Sequence, residues 1–142
     1  MKRLMTAVLF LAATACTPDG GLALTADELT ETTWRGNIEA TTYGELQMDI
    51  VEVEPGWFEG ELWYETVEGP TEGATSLTLL EGPLDDGVLV LDEVEMPYAG
   101  SLPSGWMWCT GQFEMTKDEY GLSGSWAAYD CGNDGTVELD AS

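Results

Sequence analysis

Glu45-Leu-Gln-Met-Asp-Ile-Val-Glu-Val-Glu54-Pro-Gly-Trp57-Phe-Glu-Gly-Glu-Leu-Trp-Tyr64 carries the pattern that decides the fold. In its first half, Leu46, Met48 and Ile50 alternate with Glu45, Gln47 and Asp49. A period of two places one set against a core and the other in water, as on a half-buried strand. Pro55-Gly56 is a turn signal. A returning strand then sets Phe58, Gly60, Leu62 and Tyr64 against Trp57, Glu59, Glu61 and Trp63. The first set carries no charge and is expected inside. After Ile50 the alternation slips and Val51 and Val53 take the apolar places, so the pattern predicts a β-bulge there.

The same period runs outward in both directions. Thr33–Ala40 alternates Trp34, Gly36 and Ile38 with Arg35, Asn37 and Glu39. Further strands are predicted at Ser76–Leu80, Val88–Met96, Trp106–Met115, Tyr120–Tyr129 and Thr136–Asp140. Met107, Cys109, Gly111, Phe113 and Met115 share one face, and Leu122, Gly124, Trp126 and Ala128 point inward. Turns are read at Gly82–Gly87, Lys117–Glu119 and Asn133–Gly135, the first with an Asp-Gly hairpin step. Residues 66–74 and Pro97–Gly105 are the longer loops. Eight strands on mostly short connections predict an all-β, antiparallel meander, closed as a small barrel or stacked as a β-sandwich. No segment of helical period is long enough to cover a sheet, which excludes α/β folds. One short helical turn is expected after Leu24, because Thr25 and Glu28 form a capping box and Leu24 and Leu29 a staple.

Ahead of the β domain, Met1-Lys2-Arg3 precedes an apolar run from Leu4 to Ala12 and the small residues Ala13-Thr14-Ala15. Charge, apolar stretch and small residues in that order make a secretory signal peptide over residues 1–15. Ala13-Thr14-Ala15 satisfies an ordinary signal peptidase. With Cys16 directly following, it also resembles the bacterial lipoprotein signal, departing from it at Ala13, where Leu is usual. That resemblance implies a Cys16 acylated, with palmitate among its chains, and an anchor in the cell envelope. Cysteine parity agrees: of Cys16, Cys109 and Cys131, acylation of the first leaves two to pair in an oxidising compartment. Residues 16–23 then read as a Pro- and Gly-broken tether, and residues 24–142 as a single β domain. Thr17 lacks the Asp that, by resemblance to lipoprotein sorting, retains some at the inner membrane, so the outer membrane is the expected destination.

Cleavage leaves Arg35 and Lys117 as the basic residues against twenty-seven acids, a net charge of −25. Nucleic acid is excluded as a partner, since phosphate binding needs Lys and Arg to displace counterions. Such a surface keeps a monomer soluble, or draws cations or a basic protein partner.

Trp126 through Cys131-Gly132 to Asp134-Gly135-Thr136-Val137 resembles the closing hairpin of small bacterial β-barrel lipoproteins. Thr33-Trp34-x-Gly36 is similar to the opening strand of avidin-like and lipocalin-like barrels of the calycin type, where an early Trp plugs one end. The resemblance spans roughly residues 33–140 and implies a barrel with an internal pocket for a small apolar ligand. It departs at the last strand: Val137–Asp140 offers no basic side chain to stack on the Trp, and Arg35 points away from it.

The chain has no histidine, which removes the usual general base and most zinc and copper sites. Asp130 to Ala141 fails as a calcium loop, with Gly132 at the third position and Ala141 where a bidentate Glu is needed. No cofactor or metal is expected, and the domain reads as a non-enzymatic binding module. Trp57, Trp63, Trp106 and Trp108 are the candidate ligand contacts. Trp57 and Trp63 flank Glu59 and Glu61 and offer an alternative glycan surface; a structural coat without ligand is the third reading. Interior Gly60, Gly111 and Gly124 either leave room for a ligand or mark bends in the wall. Cys109 and Cys131 pair as a disulfide. A tight turn at Lys117–Glu119 would set Cys109 opposite about Trp126. Since bridged Cα atoms lie within ~7 Å, the chain must bend after Ala128 and clamp a loop over the mouth. Cys16→Ser should release the protein from the membrane fraction, which cell fractionation and detergent partitioning measure.

Overall fold

Alternation becomes an inside and an outside once a sheet closes on itself, and this one does. The computed structural model describes residues 23–141; the expected signal peptide, Cys16 and the expected tether up to residue 22 lie outside the described residues. A short helix α1 (Ala26–Thr30) leads into β1 (Thr33–Glu39), β2 (Tyr43–Glu54), β3 (Trp57–Glu68), β4 (Thr75–Asp85) and β5 (Val88–Ala99). β6 (Gln112–Lys117), β7 (Gly121–Ala128), a single 3₁₀ turn at Tyr129–Cys131 and β8 (Asn133–Ala141) complete the described chain. Each strand pairs antiparallel with the next, and β8 returns to β1 through rungs from Trp34↔Ala141 to Glu39↔Thr136. The architecture is a closed eight-stranded meander barrel, not a sandwich.

The capping box forms as the sequence requires: Thr25 Oγ1 accepts from Glu28 N, and Glu28 Oε1 accepts from Thr25 N, each at 3.2 Å. Leu24 and Leu29 are buried in one cluster with Trp34. The Lys117 ammonium donates to Glu28 Oε2 at 2.7 Å, tying α1 to the end of β6. This end is therefore closed, and Met48, Phe58, Leu89, Met115 and Leu122 fill the interior behind it, each at most 1 % exposed.

Several local expectations shift. The β2–β3 register is unbroken from Leu46↔Tyr64 to Glu52↔Phe58, and the bulge lies between Glu52 and Glu54 rather than after Ile50. Val51 and Val53 are about half exposed, as is this whole end of β2. With no bulge after Ile50, Val51 and Val53 keep the outward parity of Asp49, and β2 beyond Ile50 extends past the core, although Phe58, opposite Glu52, stays buried. Gly82–Asp85 belong to β4, and the turn narrows to Asp86 and Gly87, with φ of 54° and 79°. Both sit in the left-handed region that a two-residue hairpin of matching twist requires. Asn133–Gly135 are strand, paired with Ala128–Trp126, and the chain reverses instead at Tyr129–Gly132.

The interior glycines answer a steric demand. A Cβ on Gly60 would stand 2.5 Å from the Asp49 carbonyl oxygen, and one on Gly124 would run into the Glu114 carbonyl. One on Gly111 would meet the Ala127 carbonyl in the same way. They let neighbouring strands coil closely and do not line empty space.

Trp106–Gly111 is not strand, and Met107 is 72 % exposed. The β6–β7 rungs run from Phe113↔Trp126 to Lys117↔Leu122, a wider turn than expected, so Phe113 and not Cys109 stands opposite Trp126. Cys109 is then drawn level with the 3₁₀ turn that bends the chain directly after Ala128. It bonds Cys131 across a Cα separation of 6.3 Å. The bridge spans 22 positions of sequence. Chain-entropy arguments give a cross-link of that span about 3 kcal/mol. Cys131→Ser should lower stability by that amount in denaturant titration, with the far-ultraviolet strand signal retained.

Candidate ligand site at the barrel mouth

A meander of even strand number sends alternate connections to opposite ends. Opposite α1 lie the β1–β2 turn, the β3–β4 loop, the long β5–β6 segment (residues 100–111) and the 3₁₀ turn before β8. The disulfide ties the last two together. Thr41 Oγ1 donates to Asn133 Oδ1 at 2.6 Å, fastening the first turn to β8. Gly100 N donates to Thr75 O at 2.8 Å, and Trp108 Nε1 to Gly100 O at 2.7 Å, so the long segment is folded back over the opening. Beneath it is a cavity of about 110 Å³.

One wall of the cavity is aromatic. Trp106, Trp108, Trp126, Phe113 and Tyr64 line it, with the Trp108 and Tyr64 rings edge to face at 6.1 Å. A run of hydroxyls, joined to the aromatic lining through Tyr64, completes the lining. Thr71 Oγ1 donates to Thr66 Oγ1 at 3.2 Å, Thr66 Oγ1 to the Tyr64 hydroxyl at 3.1 Å, and that hydroxyl shares a 3.1 Å bond with Thr42. Thr66, Thr71, Ser76 and Thr78 are all buried. Burying a hydroxyl costs free energy unless it is bonded. Thr78 Oγ1 nevertheless has no hydrogen-bond partner, although Thr78 is 1 % exposed and faces the cavity.

Glu93 is the one carboxylate among the described residues lining this space. It continues the inward alternation of Leu89 and Leu91 on β5. The β5–β6 ladder covers only Leu89–Asp92 against Met115–Gln112, and Glu93 sits where the strands part. Its N–H donates to Gly111 O at 2.9 Å. Its Oε1 accepts from Gly111 N at 2.8 Å and from Trp126 Nε1 at 2.7 Å. Two register shifts in the β4–β5 ladder, between Leu77 and Leu80, add residues to β5 just beyond it. They bring Met96 back toward the cavity. Burial pushes the Glu93 carboxyl above its ordinary value, and the bonds from Trp126 and Gly111 offset that only in part. The Thr78 hydroxyl, directed at Glu93, also favours the carboxylate.

The four candidate tryptophans separate. Trp106 and Trp108 reach the cavity. Trp57 and Trp63 lie on the outer face of β3, 38 % and 46 % exposed. Six residues of strand hold that pair about 20 Å apart. Trp126, Tyr64, Thr78 and Glu93 were missed as site residues. Glu93 has a signal, since Leu89-x-Leu91-x-Glu93 keeps one parity, but among twenty-seven acidic side chains nothing else in the sequence sets it apart. Among the described residues no group of three potential metal ligands occurs. Compared with protein-family models, curated proteins and solved structures, the chain matches none. The site therefore stands on its own geometry.

A carboxyl whose pKa is raised by folding binds its proton more tightly in the native state than in the unfolded one. Its contribution to stability is complete below the ordinary value near 4.5 and is lost as pH rises through the raised value. Glu93→Gln keeps the acceptor for Gly111 and Trp126 and removes the charge. The variant should melt above the parent protein at pH 8 by a few degrees, about 1 kcal/mol for a domain of this size. Below pH 4.5 the two should converge, and scanning calorimetry across pH measures both.

Proposed function

We propose that this protein is a non-enzymatic binding module of a bacterial cell envelope, held on an outer membrane by a lipid on Cys16, that takes a small ligand into the mouth of its barrel. The observation that carries the reading is the cavity under residues 100–111, lined together by aromatic rings, the buried Thr78 hydroxyl and the Glu93 carboxylate, to which the Trp126 indole donates. A closed barrel filled solidly at one end and hollow at the other is a usual ligand-binding arrangement. Glu93 argues for binding over hydrolysis of a glycoside, because such chemistry needs two carboxyls across the bond and one lines this space.

The size and lining refine the ligand. About 110 Å³ is well below the ~300–1,000 Å³ of pockets that take drug-sized molecules, which disfavours a fatty acyl chain. A wholly apolar guest would leave Thr78 and Glu93 desolvated with nothing gained, at a cost of ~1–3 kcal/mol for each unpaired group. A small ligand with a polar group fits better than the purely apolar one implied by the barrel resemblance. The glycan alternative on Trp57 and Trp63 is weakened by their separation along β3.

A panel of small alcohols, amines, carboxylic acids and monosaccharides, read by tryptophan fluorescence and melting temperature, tests this. Binding should quench or shift the emission and raise the melting temperature. The response should disappear in Trp126→Phe and Trp108→Phe and persist in Trp57→Phe and Trp63→Phe. A response that follows Trp57 or Trp63 instead transfers the function to the outer face.

A further inference from the structure

We infer that the ligand of the mouth cavity is a small organic cation, such as a primary or methylated ammonium ion, paired with Glu93 and held against the tryptophan rings. The inference rests on the reading of the mouth as a binding site and names the chemistry of its occupant.

Three independent features converge on positive charge. The first is the carboxyl itself. Glu93 lines the cavity, and its Oε1 accepts from two neutral N–H groups, those of Gly111 and the Trp126 indole. Among the described residues no cation serves it: Lys117 is engaged with Glu28 at the closed end, and Arg35 lies on the outer face of β1, where its Nε donates to Gln47. A largely desolvated carboxyl without a counter-ion either keeps a proton or takes a cation from outside.

The second feature is the aromatic part of the lining. Trp106, Trp108 and Trp126 bring three indole rings to one small space. The faces of such rings attract ammonium groups, most strongly where water is excluded, and aromatic cages around methylated ammonium ions use this attraction. The third is Thr78 Oγ1, a buried oxygen with no hydrogen-bond partner on the cavity wall beside Glu93. A hydroxyl oxygen accepts an ammonium N–H that carbon–hydrogen groups cannot supply. The carboxylate and this oxygen supply acceptors, and the rings that share the lining cover the apolar remainder of the ligand.

The competing classes fit less well. A divalent metal ion requires several oxygen ligands, and the cavity presents a single carboxylate. An organic anion would meet Glu93 and a chain with a net charge of −23, which repels it at every distance of approach. The same charge concentrates cations at a concave opening.

Benzylamine and benzyl alcohol separate charge from shape, since they differ only in the ammonium and hydroxyl groups. Titration calorimetry on the disulfide-intact protein at pH 8 and low salt should give benzylamine at least about tenfold tighter than benzyl alcohol. Glu93→Gln should remove most of that preference, while Trp63→Phe on the outer face leaves both affinities within about twofold. Thr78→Val, which keeps the side chain's shape, should weaken benzylamine several-fold. Benzylamine affinity should fall as pH is lowered through the raised pKa of Glu93, while benzyl alcohol affinity stays level. Equal affinities for the two probes in the parent protein, or a preference that survives Glu93→Gln, overturn the cation and leave the mouth as a binding site. If neither probe binds and the mouth tryptophans do not respond to any member of the wider panel, the binding site itself is overturned.

Discussion

The ladder between β1 and β8 is the constraint on which everything else in this molecule depends. Without it the chain is an open, twisted meander with two exposed edges, each a template for aggregation. With it, every inward position faces one enclosed space. Closure demands near contact of the first and last strands, and a side chain on Gly36 would run into the Glu138 carbonyl. Closed, the barrel sorts its residues into an interior holding Trp34, Ile38, Val137 and Leu139 and an exterior holding Arg35, Glu39, Glu138 and Asp140.

The two ends of that interior are built differently, and the difference produces a site. At the end capped by α1 the connections are tight turns and the filling is apolar apart from the buried Trp34 indole nitrogen. At the other end the connections are longer, and the interior wall changes from leucine and phenylalanine to threonine, serine and Glu93. Polar groups inside a barrel are tolerated where backbone, water or a ligand satisfies them. Here Gly111 and Trp126 donate to Glu93 Oε1, and the hydroxyl chain from Thr71 to Thr42 satisfies itself. Thr78 is the remainder. The disulfide between Cys109 and Cys131 then holds the long β5–β6 segment across the opening, so Trp106 and Trp108 become part of the wall without belonging to any strand.

Much of the architecture was legible because its cause is local. The alternation of Leu46, Met48 and Ile50, or of Leu122, Trp126 and Ala128, is written residue by residue and survives folding unchanged. The capping box at Thr25 and Glu28 and the Asp86-Gly87 turn are likewise contained in a few consecutive residues. The misread places share a different cause. Val51 and Val53 are apolar, but they keep the outward parity of Asp49 where β2 extends past the core. Trp106–Met115 has a strand's period, but the bridge to Cys131 and the bond from Gly111 to Glu93 pull its first half off the sheet. Asn133-Asp134-Gly135 has turn composition, yet the register with β7 makes it strand.

The site was harder to see for the same reason. Aromatic side chains mark binding surfaces by type, but four tryptophans on two segments cannot reveal which of them share a space. By itself the sequence determined the all-β class, the inward set of most strands, the helical cap, the pairing of Cys109 with Cys131 and the strong negative charge. Each follows from composition or from neighbours a few positions apart. Only the tertiary structure decided that the meander closes, that Trp57 and Trp63 remain outside, and that Trp126, Thr78 and Glu93 meet in one cavity. Those outcomes depend on register and closure, which bring residues from five separate segments to one end of the barrel and are encoded in no single stretch of chain.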